Sequence, residues 1–252
     1  MKIKELISRV LFYVTVPKCV MCKERLDYTD RALCNKCLDV YRSHKKRNCP
    51  KCSRVLSECS CSYDSLETKG IKTLIKIFRY SKSENALPSN YLVYSLKQDN
   101  RKDVLSFLAD ELSAAIKISL KDDYSRCVIT NVPRRDKAIV NFGYDHAKDL
   151  AKAVSKRLGI DYLEILKSDA DRPQKSLHGG ERKQNAKFDY KCNDNISLKG
   201  KTVILIDDII TTGASMINCA LLIRKLKPRR IIGATLGTAY KEKNIDYIHS
   251  AP

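Results

Sequence analysis

Apolar positions recur along this chain with two alternating periods, and that alternation is what first suggests a fold. Ile3, Leu6, Ile7, Val10 and Leu11 are spaced as one face of a short amphipathic helix. The segment Ile71 to Tyr80 and the run Asn90 to Lys97 lead into a clearer helix, whose buried stripe is Val104, Leu105, Leu108, Leu112, Ala115 and Ile116. Cys127 to Pro133 reads as the first core strand running into a loop. A helix over 143–158 follows, with Leu150, Ala151, Val154 and Leu158 on its inner face and Gly159 at its end. Tyr162 to Leu166 reads as a second strand, and the polar stretch from Lys167 to Lys199 has no period. Val203 to Ile206 is a short, mostly β-branched apolar run of the kind that fills a strand covered on both faces. A helix over 214–226 and a strand from Arg230 to Leu236 complete the series. Strands alternating with helices imply an α/β fold with a mainly parallel sheet, helices on both faces and right-handed crossovers.

The run at 203–206 breaks into Asp207 and Asp208, and then into Thr211, Thr212, Gly213, Ala214 and Ser215 at the start of the next helix. In open α/β sheets ligands bind at the carboxyl ends of the strands, where helix amides point back toward the sheet. Hydroxyls, unpaired N–H groups and a glycine suit a phosphate there, and the two acids suit ribose hydroxyls. An ordinary acidic turn with an N-capped helix is the plainer reading. A nucleotide-hydrolase loop is the sharper rival, because Gly200-Lys201-Thr202 ends like one. That loop needs a glycine at position 195, where the chain has Asn195, and it would join the end of a strand to a helix rather than precede a strand.

Eight of the 11 cysteines lie before residue 62, as Cys19-x2-Cys22, Cys34-x2-Cys37, Cys49-x2-Cys52 and Cys59-x-Cys61. Paired thiolates on tight turns grip tetrahedral ions, and eight ligands make two closed zinc sites. Such sites let about sixty residues with few large apolar side chains hold a fold. Sequential pairing resembles a double zinc ribbon. An interleaved cross-brace, a disulfide framework and an iron–sulfur cluster are the alternatives. Residues 1–62 are thus expected to form an N-terminal helix and a small ribbon domain ahead of a larger domain over 63–252.

Composition changes the picture in one respect. With 252 residues and 43% apolar content the chain can bury a real core, but its formal charge is +19. An excess of that size suggests an anionic polymer or a phosphate-rich ligand. No run approaches the length of a membrane span, and Glu5 and Arg9 interrupt the start, so a cytoplasmic location is expected.

The string from Val203 to Ser215 resembles the PRPP-binding motif of type I phosphoribosyltransferases. Together with the paired cysteines, FGYDHAKDLAKAVSKRLG at 142–159, Arg172-x-Gln174-x2-Leu177 and Arg182-x2-Asn185, it resembles the ComF family. In many relatives the middle motif reads RGFNQ, where this chain has Asn141-Phe142-Gly143-Tyr144-Asp145. The resemblance implies a phosphoribosyltransferase fold binding PRPP with Mg2+, two structural zinc ions, and a role with transforming single-stranded DNA beside an uptake channel and helicase. Asp207 and Asp208 would then hold the ribose and 211–215 the 5′-phosphate. Arg134 and Arg135 would lie in the pyrophosphate loop, and Arg172 and Arg182 in a loop that closes over the reacting centre. Nucleobase transfer from PRPP is the alternative activity. Tyr80, Tyr91, Tyr94 and Tyr144 are candidate stacking platforms for a strand of bases.

Overall fold

The structure is a computed structural model and describes residues 17–27, 31–49, 51–81, 87–121, 124–134, 143–168, 188–191 and 196–239. The expected N-terminal helix and most of the aperiodic stretch lie outside the described residues, as do Arg135, Arg172 and Arg182. So does Asn141-Phe142.

Four parallel strands form the main sheet, in the order β1, β6, β5, β2. They are β1 (Thr73–Tyr80), β2 (Cys127–Asn131), β5 (Thr202–Ile210) and β6 (Arg230–Ala239). Two short strands, β3 (Leu166–Ser168) and β4 (Phe188–Tyr190), pair antiparallel outside it. The helices are α1 (Asn35–Lys45), α2 (Asp64–Glu67), α3 (Pro88–Gln98), α4 (Lys102–Leu120), α5 (His146–Leu158) and α6 (Ala214–Lys225).

The centre of the sheet explains why its strands read as unbroken apolar runs. Side chains alternate along β5, so Ile204 and Ile206 enter a core shared with α3, α4 and α5, while Val203 and Leu205 enter a second core under α6. Helices therefore cover both faces, as the sequence predicts. On the α6 side, Gly233 makes the approach possible: a Cβ there would stand 2.8 Å from Met216 Sδ and 2.9 Å from Leu74 Cδ1. The longer helices follow the predicted stripes. Leu108, Leu112 and Ile116 of α4 are fully buried, and α5 ends at Gly159 in the left-handed conformation.

Four expectations need correction. The first strand in chain order is β1, not Cys127 to Asn131. Lys76 in the middle of Thr73–Tyr80 disguises that strand, and its ammonium finds partners inside the protein. Tyr162 makes only a single parallel bridge to Ile129, and the strand that follows belongs to the antiparallel pair. The helix predicted from 143 starts at His146, because Asp145 caps it by accepting a hydrogen bond from the Lys148 amide. Finally, β5 does not stop before the acids: Asp207 pairs with Thr235 and Ile210 with Thr238 on β6.

Candidate functional site

The carboxyl end of β5 carries Asp207 and Asp208 on a hydrogen-bonded strand, so the two side chains leave opposite faces of the sheet. Asp208 points with Ile206 toward α3, where Lys97 Nζ in the last turn meets its Oδ2 at 2.9 Å. Asp207 points with Leu205 toward α6, and its Oδ1 accepts the Asp208 amide at 2.9 Å. Part of the Asp207 surface is open to a cavity, yet most of its surroundings are protein. That burial, and then the charge of Asp208, push its carboxyl up to about 8.

The cavity holds about 340 Å³ and is lined by Lys97, Arg134, Asp145, Asp207, Asp208 and Ser215, among others. Three carboxylates and two cations thus converge where the parallel strands end. Arg134 follows β2, and its amide donates to Asp145 Oδ2 at 3.3 Å. Burial raises the Asp145 carboxyl against the lowering effect of the Lys148 and Arg134 amides. His146 also lines the cavity, beneath the Tyr144 ring at 5.1 Å. Neither of its ring nitrogens makes a hydrogen bond of ordinary geometry, although the Lys97 carbonyl lies near. Burial and then the Arg134 cation lower its pKa, which favours the neutral imidazole.

Between β5 and α6 the chain makes the turn that the sequence marks out. Thr211 and Thr212 are exposed, and Gly213 adopts φ 77°, a left-handed conformation that ordinary side chains resist. Ala214 and Ser215 open α6, whose first amides face the same edge as the acids. Asp207, Asp208, Ser215 and Arg134 therefore meet at one cavity, while Thr211, Thr212, Gly213 and Ala214 are not among its lining residues. Lys97, Asp145 and His146 belong to the same place without having been expected there. Asp145 carries a legible signal, a capping residue before an amphipathic helix. Lys97 carries none, since only the tertiary fold brings α3 to Asp208. Of the candidate stacking tyrosines, Tyr94 is open at 64% exposure, Tyr80 and Tyr91 pack against the core, and Tyr144 covers His146.

The eight front-end cysteines form two groups, Cys19, Cys22, Cys34 and Cys37, and Cys49, Cys52, Cys59 and Cys61, in each of which all sulfurs lie within 4.8 Å of one another. The grouping of the sulfurs is sequential and not interleaved. Four sulfurs at about 2.3 Å from a tetrahedral ion would be about 3.8 Å apart. Here Cys22 and Cys34 Sγ are 3.7 Å apart, and Cys52 and Cys59 Sγ 3.6 Å. Burial pushes Cys59 up to about 12 and Cys37 higher, so these thiols resist ionising together unless a cation supplies the opposing charge. The donor sets fit a dication.

Each group opens with the same knuckle. Cys19 N donates to Glu24 O at 2.8 Å and Cys49 N to Arg54 O at 2.7 Å, while Lys23 and Ser53 occupy the matching positive-φ positions. Lys76, buried in β1, donates to Cys59 Sγ at 3.3 Å and to Cys61 O at 2.8 Å.

Comparison with known proteins agrees with this geometry. Residues 144–249 match the model of the phosphoribosyl transferase domain family. Ribose-phosphate pyrophosphokinase from Thermococcus kodakarensis is 28% identical over 105 residues, 42% of this chain and 32% of that protein. The enzyme of the same name from Pyrococcus furiosus is 28% identical over 106 residues, 42% of this chain and 33% of that protein. The chain thus spans about a third of the length of these curated relatives. Among solved structures, adenine phosphoribosyltransferase from Saccharomyces cerevisiae is similar over 56% of this chain and 72% of its own, at 14% identity and a TM-score of 0.39. That likeness is too loose to speak to ligand or reaction. No helix among the described residues is long and apolar enough to cross a membrane. Residues 144–249 are thus similar to the phosphoribosyl transferase domain family, and the matched segment includes the acid pair and the turn after it at the carboxyl end of β5.

Proposed function

We propose that this protein binds PRPP at the β5–α6 junction and acts as a ComF-type factor that handles transforming single-stranded DNA. The observation that carries the ligand is the acid pair Asp207 and Asp208 at one cavity with the amino end of α6. A transferase family and a pyrophosphokinase share, by name, a ribose phosphate, and the segment that matches the family is the one holding these residues. Asp207 and Asp208 take the ribose hydroxyls, residues 211–215 the 5′-phosphate, and Arg134 and Arg135 the diphosphate. Arg172 and Arg182 act from the stretch of sequence between β3 and β4. Asp145 adds a third carboxylate to the lining, and such oxygen donors suit the Mg2+ that accompanies a diphosphate. The cysteine groups hold two structural zinc ions. The charge of +19 and the paired-cysteine front end support the DNA assignment, with the uptake helicase and channel as partners.

Lys97 pairs with Asp208, and PRPP binding exchanges that ion pair for ribose hydroxyls and frees the cation for the diphosphate. Isothermal titration of PRPP with Mg2+ tests the site. Wild type binds, and Asp207→Ala weakens binding at least about tenfold, the cost of one or two hydrogen bonds to a charged group. Equal affinity in the two proteins defeats the assignment.

Nucleobase transfer is the second reading, favoured by His146. Its imidazole lines the cavity and is held toward the neutral form, the state in which a histidine serves as a general base once an acceptor reaches it. Release of diphosphate from PRPP with one member of a panel of bases, lost in His146→Ala, supports it, and no release with any base rejects it.

A further inference from the structure

Between residues 196 and 239 the charges are segregated along the strand axis. The only acids there are Asp207 and Asp208, at the carboxyl end. Every lysine and arginine of that segment lies at the opposite end. Lys199 and Lys201 precede β5, Arg224 and Lys225 close α6, and Arg229 and Arg230 open β6. The neighbouring strands add Lys72 before β1 and Arg126 before β2 to that end, although β1 also carries Lys76 and Arg79 and Arg134 follows β2.

Register turns these cations into a row. Cys127, Thr202 and Arg230 pair across β2, β5 and β6, and the amides of Thr202 and Arg229 donate to the carbonyls of Arg126 and Lys201. Lys72 stands on the far side, one residue before the Thr73–Ile232 pair. Three strand spacings span about 14 Å, which is more than one phosphate fills. At the β1–β6 end the row opens into a cavity of about 500 Å³ lined by Gly70, Lys72, Arg224, Pro228, Arg229 and Arg230, among others, with no carboxylate among the lining residues. Arg224 is seated over Gly70 so closely that a Cβ there would stand 1.8 Å from its Nη2. Among the described residues no ion pair engages Lys72, Arg224, Arg229 or Arg230.

Arginine and lysine in the last turn of a helix complement its dipole, which accounts for Arg224 and Lys225. It does not account for Lys72, Lys201, Arg229 or Arg230, which lie on strands and loops. A lipid surface is disfavoured, since the cavity lining includes none of the exposed large apolar side chains Val40, Tyr94, Ile118 and Leu221.

We propose that the amino-terminal edge of the parallel sheet is a phosphodiester-binding track, which holds the backbone of a single-stranded nucleic acid without reading its bases. This inference rests on the reading of single-stranded DNA as a partner and adds where the strand lies. From Thr202 to Asp207 the strand rises about 17 Å, so track and ribose site are separate. A protein can thus hold a polyanion at one edge while it binds PRPP at the other.

The test is fluorescence anisotropy with a 30-residue oligothymidylate over a range of salt, beside PRPP titration of the same proteins. The edge variant is Lys72→Gln/Arg224→Gln/Arg229→Gln, which spares Arg230 because its Nε donates to Thr202 Oγ1 at 3.2 Å. Expected is a loss of affinity of at least about tenfold at low salt. The slope of log affinity against log salt should flatten by about 2, as for three lost contacts to a single strand, with PRPP affinity unchanged. Wild-type affinity and slope in the variant overturn the track and leave the DNA reading standing. No binding by wild type at low salt overturns the DNA reading and the track with it. A parallel fall in PRPP affinity overturns their separation.

Discussion

The two cysteine groups begin with the same knuckle and end differently, and the difference shows two ways of attaching a four-cysteine cluster to a larger fold. In the first, Cys34 and Cys37 sit at the start of α1, and Cys19, Val20, Leu26, Leu33 and Tyr41 are buried in the same core as the sheet residues Ile204 and Ile206. In the second, Cys59-x-Cys61 follows a single 3-10 turn, and its apolar core is only Cys49, Leu56 and Cys59 with two partly buried cysteines. The first site is joined to the body by burial of apolar area. The second is joined by a bridge from Cys61 to Thr73 and by the buried ammonium of Lys76. A lysine in that position is costly without an opposing charge, and the thiolate cluster provides it.

The contrast is broken or sharpened by a series of substitutions. The largest effect belongs to Cys37→Ser, which removes one ligand from the site embedded in the core. It is expected to release one zinc ion per chain and lower the melting temperature by about 10 °C or more. Cys61→Ser also releases one ion, but lowers the melting temperature by less than about 5 °C because the sheet core stays closed. Metal analysis and circular dichroism on both variants decide it, and equal losses would erase the distinction.

Lys76→Met comes next. Loss of the N–H···S bond is expected to speed metal transfer from the second site to a chelator about tenfold, in the range found for other outer partners of metal ligands, with the first site unchanged. If both sites accelerate together, Lys76 is a general packing residue instead. Smallest is Lys51→Ala. Lys51 Nζ bridges from the second knuckle to Glu67 at 3.0 Å and to Asp64 at 3.5 Å. It is exposed, so no measurable change in melting temperature is expected.

Much of this fold was legible because its strongest signals are local. The run at 203–206, the stripe of α4 and the Gly159 stop all depend on near neighbours in sequence, and all appear as read. The C-x2-C spacings likewise contain most of a knuckle. What escaped depends on distant partners. β1 was hidden because Lys76 is acceptable in a buried strand only when a sulfur cluster lies beside it. The length of β5 was misjudged because the pairing of Asp207 and Ile210 is set by β6, which the acids themselves do not announce. Lys97 was missed for the same reason, and it stands outside the segment that matches the transferase family.

That lysine also has a consequence for communication through the molecule. α3 packs against α1, which begins among the ligands of the first metal site, and its last turn ends on Asp208. One short helix thus packs on the helix that carries Cys37 and ends on the acid proposed to hold ribose. Thermodynamic linkage requires that if filling one of these sites changes the occupancy of the other, the effect runs equally in reverse. On the proposed assignments, metal loss that shifts α3 changes PRPP affinity, and PRPP changes metal retention by the same factor.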